Sequence, residues 1–308
     1  MSVPREHLGE NVPLQGRMLV NEPMAPHNSW RAGGSADRFY LPLDLDDLCR
    51  FLRQLSKEEP LLWLGLGSNL LVRDGGIRGS VLCTLNRLKG MELIDHTILH
   101  VEAGVPCSHV AKYSAEKGLV GAEFLAGIPG TMGGALAMNA GAFGGETWPL
   151  VNRVVTVDRS GVMRERLPEN YEIGYRSVSG PEGEWFLGAD LVLSKGDVDA
   201  ARTRIKGLLA QRTATQPTNL PSCGSVFRNP PGDYAARLIE STGLKGLRLG
   251  EAQVSEKHAN FIVNLGGARA ADIEALIMRV RDEVRLRHNV NLVPEVRIVG
   301  HASEGGRE

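Results

Sequence analysis

The chain has 308 residues, 42% hydrophobic and 23% charged, a composition and length that imply a globular protein of two or three domains. Its 35 basic and 36 acidic residues leave a formal net charge of −1. No basic run of the kind that tracks phosphate backbones occurs, which argues against a general nucleic-acid binder. No apolar run approaches the roughly 18 residues of a membrane span, so no membrane association is expected.

Residues 1–16 and 302–308 read as loose tails, and the N-terminus lacks the apolar core of a secretory signal. In 44–55, Leu45, Leu48, Phe51 and Leu52 share one helical face behind an Asp-rich start suited to the helix dipole. "PLLWLGLGSNLLV" (60–72) is an apolar strand running into a Gly turn, and 79–85 and 97–104 read as further strands. A helix is expected over 106–118, with Pro near its start and Gly as its stop. After a Gly/Ala-rich stretch, strands are expected at 151–158 and 185–194 and a helix at 197–212. "TATQPTNLPSCGS" (213–225) reads as a linker into a third unit. That unit holds a short helix over 232–246 with Asp233 as N-cap, a strand over 260–267, an amphipathic helix over 271–284 and a strand over 292–300. Strands and helices mix without strict alternation, so α+β is favoured over a doubly wound sheet.

Cys49, Cys83, Cys107 and Cys223 show neither CxxC nor zinc spacing, and they read as free thiols of a cytoplasmic protein that holds no metal. Gly is in excess, 37 of 308 residues, and the excess is clustered. One cluster is "GLGSNLL" (65–71) and the other is "GAEFLAGIPGTMGGALAMNAGAFGGE" (121–146). Neither matches a Rossmann or Walker pattern. The same physics still applies: glycines let backbone N–H groups approach an anion closely, and Ser68 and Asn69 add side-chain hydrogen bonds. The competing reading, that small residues merely allow backbones to pack closely, stays open at this point.

Several irregular stretches carry a resemblance. "WLGLGSNLLVRDGGIRGSVL" (63–82), the segment 121–146, "YRS" (175–177), "CGSVFRNP" (223–230), "GLKG", "VSEKHANFIVN" (254–264) and "PEVRIVG" (294–300) occur in order. Together they are similar to the UDP-N-acetylenolpyruvoylglucosamine reductase family, over about residues 24–300. The spacing of 49 positions from Arg176 to Ser225 resembles the shorter form of that family, which lacks the loop carrying a substrate-covering Tyr. The resemblance implies an α+β fold: an FAD-binding module of the vanillyl-alcohol-oxidase (PCMH) type in two subdomains, 17–85 and 86–212, plus a C-terminal α+β substrate domain, 213–301. It implies non-covalent FAD, NADPH as reductant, and reduction of the enolpyruvyl C=C of UDP-N-acetylglucosamine enolpyruvate to UDP-N-acetylmuramate for peptidoglycan. A cytoplasmic monomer with small-molecule partners only is expected.

By the same resemblance, Gly65, Gly67, Ser68, Asn69, Pro129, Gly130, Thr131, Gly133 and Gly134 would line the flavin cleft. Flavin N5 would give a hydride to C3 of the substrate, and negative charge then develops at C2 beside a carboxylate. That charge calls for fixed cations and donors in a dry site. Arg176 would fork onto the carboxylate, Ser225 would protonate C2, and Glu295, placed in an apolar strand and held protonated by burial, would help polarise the enolate. Alternation would put Arg297 on the same face as Glu295. Asn229 and His258 are the substrate-binding candidates, with Arg228 and Lys245 beside them. The rivals are another flavin oxidoreductase of the same fold, whose relatives often tether flavin through His or Cys, and a non-catalytic flavin or sugar-nucleotide binder. A Ser225 hydrolase is poorer, because "CGSVF" is not a GxSxG elbow.

Overall fold

A computed structural model describes residues 13–303; the tail expectations for 1–12 and 304–308 lie outside the described residues. Within the described part, Leu14 packs on the core, and the N–H groups of Gln15 and Gly16 donate to Asp47 Oδ1 (2.7 Å) and the Tyr40 hydroxyl (3.2 Å). The ordered structure therefore starts before residue 17.

The first unit is a four-stranded sheet in the order β1 (Arg17–Pro23), β2 (Ser35–Leu41), β5 (Ile77–Cys83), β3 (Leu61–Leu64). β2, β5 and β3 run parallel, and β1 is an antiparallel edge. Helix α1 (Leu45–Gln54) covers it with Leu48, Phe51 and Leu52, all buried. Its Asp-rich start does two separate jobs. Asp44 caps the helix by accepting from the Asp47 N–H at 2.8 Å, and the buried Asp47 carboxylate accepts from Gln15, Leu43 and Tyr40. The expected strand over 60–72 is two strands, β3 and β4 (Leu70–Val72), with the glycine loop 65–69 between them.

The second unit is an antiparallel five-stranded sheet in the order Met163–Arg166, Val151–Asp158, Glu184–Val192, β7 (Ile98–Glu102), β6 (Met91–Asp95). Its inner face packs on α2 (Cys107–Glu116) and α3 (Met132–Met138) through Leu99, Val101, Val110, Leu136 and Leu191. Helix α4 (Val198–Thr215) follows and runs three residues beyond the expected end at 212.

The third unit packs α5 (Ala235–Ser241) and α6 (Ala270–His288) on a three-stranded meander ending in Ile262–Asn264. The α6 stripe Ile273, Leu276, Ile277, Val280 and Val284 is fully buried. α5 is shorter than its sequence pattern. Tyr234, not Asp233, holds the cap position, and the capping acceptor is Asn229 Oδ1, which takes the Ala235 N–H at 3.1 Å.

The units are joined by shared structure. Trp30 and Leu71 sit inside the third unit's core, and Trp30 Nε1 donates to the Ile262 carbonyl at 2.8 Å. Strand Arg297–Val299 pairs in parallel with β4. Asp74 accepts from the N–H groups of Ala270 and Ala271, both at 2.9 Å, so the N-terminus of α6 is capped from the first unit. All four Cys are free and buried. Among the described residues, no helix is long and apolar enough to cross a membrane, and no His/Cys/Asp/Glu group could hold a metal ion.

Candidate active site

One cleft of about 470 Å³ opens where the three units meet. Its walls come from the loop after β3, the segment before and along α3, the hairpin after Glu172, the end of α4, and the segments at 223–225 and 295–297. Gly65, Gly67, Ser68, Asn69, Pro129, Gly130, Thr131, Gly134, Arg176, Ser225 and Glu295 all line it.

The glycine loop is shaped for an anion. The N–H groups of Leu66, Gly67, Ser68 and Asn69 find no acceptor among the described residues. A row of such groups at a cleft wall forms an anion-binding concavity. Gly67 sits at φ +70°, and a Cβ there would meet the His27 carbonyl oxygen at 2.1 Å. Gly134 is the opposite case: its added Cβ would have no neighbour nearer than 3.8 Å, so a side chain there would project into open space beside the cleft. This donor row, the open glycine wall and the cleft volume fit a flavin dinucleotide.

Gly133 is a correction. It does not line the cleft; its N–H donates to the Ala103 carbonyl at 2.9 Å, and an added Cβ would lie 2.9 Å from the Ala103 Cβ. At this position the small residue serves backbone packing. Asn69 also differs from expectation: its Nδ2 is spent on the Glu295 carbonyl (3.0 Å) and Met138 Sδ (3.1 Å), and its own carbonyl accepts from Arg297 N–H at 3.0 Å. Asn69 thus ties the glycine loop to the segment carrying Glu295.

Arg176 and Glu295 meet in the cleft. Arg176 is the third residue of a tight turn between Glu172–Gly174 and Ser177–Ser179, at φ +54°. Such a left-handed conformation costs a non-glycine residue about 1 kcal/mol. Its Nη2 donates to the Gly141 carbonyl at 2.7 Å, and its Nε lies 3.2 Å from Glu295 Oε1 without hydrogen-bond alignment, so this buried Nε–H is left unpartnered. Glu295 precedes strand Arg297–Val299 rather than lying in it, and its partner is Arg176, not Arg297. Burial pushes the Glu295 carboxyl above the usual range, only partly offset by Arg176 and Arg228.

Ser225 follows Gly224, which sits at φ +84°. The next residues are clamped: Val226 N–H donates to the Asn260 carbonyl (2.9 Å), Phe227 N–H to Asn260 Oδ1 (3.0 Å), and Glu295 N–H to the Val226 carbonyl (2.7 Å). The Ser225 hydroxyl has no partner among the described residues, so it is free to donate into the cleft it lines.

The two substrate candidates are not brought to this wall. Asn229 is exposed and its Oδ1 is occupied as the α5 cap. His258 lies edge-on to Phe261 at 4.7 Å with a buried, unpartnered Nδ1, and burial lowers its pKa. Lys245 pairs with Glu240 at 2.9 Å. Sequence reasoning missed Asn139, which ends α3 at φ +44° and donates through Nδ2 to Glu146 and to the Gly174 carbonyl at 3.2 Å. It anchors the hairpin that delivers Arg176; Asn before Ala-Gly at a helix end was its local signal.

A flavin-dependent oxidoreductase built on the α+β FAD-binding module, with an added C-terminal unit, is the class that this fold and cleft define. Residues 36–165 match the FAD binding domain family, and residues 216–299 match the family described as UDP-N-acetylenolpyruvoylglucosamine reductase, C-terminal domain. Curated relatives named UDP-N-acetylenolpyruvoylglucosamine reductase include that of Methylococcus capsulatus, 66% identical over 94% of this chain and 95% of the relative. That of Alkalilimnicola ehrlichii is 64% identical over 93% and 96%. The crystal structure of the Thermus caldophilus reductase of the same name superposes with a TM-score of 0.79 at 33% identity, covering 92% of this chain and 98% of that one. The chain belongs to the UDP-N-acetylenolpyruvoylglucosamine reductase family.

Two predictions arise from this geometry. Gly134→Val places a branched side chain in the cleft wall without a backbone clash. Overpacking of this kind costs about 1–3 kcal/mol, or roughly 5- to 150-fold in flavin affinity. The variant will keep the wild-type melting temperature when stripped of flavin, and titration of that apoprotein with FAD will show the weakened binding. Glu295→Gln tests the raised carboxyl. A raised folded-state pKa contributes stability below the ordinary Glu value and loses it as pH rises through the raised one. Gln is neutral throughout, so the melting temperature of the variant relative to wild type will climb from pH 4 to pH 8; a flat difference contradicts the raised value.

Proposed function

We propose that the chain reduces the enolpyruvyl double bond of UDP-N-acetylglucosamine enolpyruvate to give UDP-N-acetylmuramate for peptidoglycan, with NADPH as the electron source. The observation carrying this reading is the Arg176–Glu295 pair beside the free Ser225 hydroxyl in one cleft with the anion-shaped glycine loop. The Leu66–Asn69 N–H groups and the wall of Pro129, Gly130, Thr131 and Gly134 would hold the FAD, which would supply hydride to C3 when bound. Arg176 orients the substrate carboxylate with its free guanidinium edge and opposes the charge that grows at C2. Glu295 hydrogen-bonds the same enolate as a neutral acid, which its burial favours. Ser225 Oγ delivers the proton to C2; a basic carbanion needs a near O–H, not an acidic one.

The chain is read as a cytoplasmic monomer whose three units, near 17–85, 86–212 and 213–301, clasp cofactor and substrate. Non-covalent flavin is favoured over a tether. Among the described residues Cys223 is the only Cys or His on the cleft wall, and burial followed by the Glu295 charge pushes its thiol well above the ordinary value, away from a reactive thiolate. The test is direct: the purified protein will be yellow, heat will release its FAD, and NADPH oxidation will depend on the enolpyruvyl substrate. NADPH oxidation indifferent to that substrate would remove the assignment.

A further inference from the structure

Beside the main cleft lies a second cavity of about 390 Å³. The two share Leu66, Pro129, Arg212, Gln216, Gly224 and Phe261, so the cavity opens onto the cleft between the glycine loop and the residue preceding Ser225. Among the described residues no Asp or Glu lines it, and Arg31 and Arg212 both do.

Arg212 is an unusual cation. It sits in the last turn of α4, and its Nε donates to Gln216 Oε1 at 3.2 Å; Nη1 and Nη2 have no partner among the described residues. Several part-buried arginines of this chain meet carboxylates: Arg73 with Glu274, Arg153 with Asp190, Arg166 with Glu184. Arg212 meets none among the described residues, and burial alone holds its pKa below the free value. A desolvated guanidinium without a counter-ion is unfavourable unless a ligand supplies the charge. Arg31 is likewise without an ion pair, and its side chain is exposed at the rim. The side chains of Ser29, Thr218 and Asn219 on the same walls make no hydrogen bond to described residues and add uncommitted donors.

We propose that Arg212 and Arg31 form a phosphate subsite for a nucleotide substrate whose other end reaches the Ser225 wall. Guanidinium forks match phosphate oxygens in bidentate geometry, and donor hydroxyls and amides complete the shell. The subsite rests on the reductase reading, which brings two such nucleotides to this cleft: a reductant with a 2′-phosphate and a UDP-sugar with a diphosphate. Contact with Gly224 and Phe261 sets it on the Ser225 side of the cleft, and it meets the loops assigned to the flavin at Leu66 and Pro129.

The experiment compares wild-type holoenzyme with Arg212→Gln, Arg212→Lys and Arg31→Gln. KM is measured for NADPH, NADH and the UDP substrate, and competition by 2′,5′-ADP, 5′-ADP and UDP is measured alongside. Arg212→Gln should raise one KM roughly 10- to 100-fold, Arg31→Gln less, and Arg212→Lys should recover part of the loss, with flavin content unchanged. A rise for NADPH but not NADH, with weakened competition by 2′,5′-ADP, assigns the reductant's phosphate. A rise for the UDP substrate, with weakened UDP competition, assigns the diphosphate. Unchanged constants, or loss of flavin as the primary defect, overturn the subsite. Wild type that oxidises NADPH regardless of the UDP substrate would instead overturn the reductase reading and leave the subsite's competition assay standing.

Discussion

Replacing Ser225 by Ala will leave reduction of the flavin by NADPH at its wild-type rate and slow its reoxidation by the enolpyruvyl substrate roughly 10²- to 10⁴-fold, the usual range for loss of a positioned proton donor. The two half-reactions separate in stopped-flow absorbance near the flavin band. The expectation rests on how little the substitution disturbs. The Ser225 hydroxyl holds nothing among the described residues, while its neighbours Val226 and Phe227 are pinned by Asn260 and Glu295. The turn itself depends on Gly224 at φ +84°, not on the serine. An equal slowing of both half-reactions would move Ser225 from proton donor to cleft architecture.

Replacing Arg176 has the second large effect. Arg176→Ala removes the cation facing the developing charge and should cost about 10²- to 10³-fold in the same reoxidation step, the scale of losing one preorganised donor. It also leaves Glu295 buried without its nearest counter-charge, with the side chains of the pair 21% and 12% exposed. An interaction of this kind contributes about 1–3 kcal/mol, and it operates only while Glu295 is ionised. The destabilisation should therefore be larger at pH 8 than at pH 4. Arg176→Gly separates chemistry from strain. Glycine accepts φ +54° freely, so its stability loss should be smaller than that of Ala by about 1 kcal/mol while the loss of turnover is the same. Arg176→Lys keeps the charge but not the fork, and it should recover stability better than rate. Turnover of Arg176→Ala near wild type would remove the arginine from the chemistry.

Much of the fold follows from local periodicity. The stripe Ile273, Leu276, Ile277, Val280 and Val284 reads as one helix face, and it is buried on one face; the strand at 151–158 is found at those bounds. Such patterns depend on a side chain's spacing along its own element, so neighbours within a few residues suffice to read them. The irregular motifs also located the glycine loops and the three residues that share the cleft. The failures have a common cause. "GLGSN" does not say which donors remain free. Asn69 is occupied by a carbonyl 226 positions away, and the Leu66–Asn69 N–H groups meet no acceptor among the described residues. Gly133 and Gly134 are adjacent and identical, yet one is pressed on Ala103 and the other faces open space. Asp233 looked like a cap, but Asn229 supplies the bond, and α6 is capped by Asp74 from another unit. Alternation put Arg297 on the face of Glu295, yet the cation that meets Glu295 is Arg176, on a hairpin of the second unit. Residue type and period are properties of the chain read locally. A hydrogen-bond or ion-pair partner is chosen by proximity after folding, among all groups the packed units bring within about 3 Å, and that choice exists only once the three units have closed on one another.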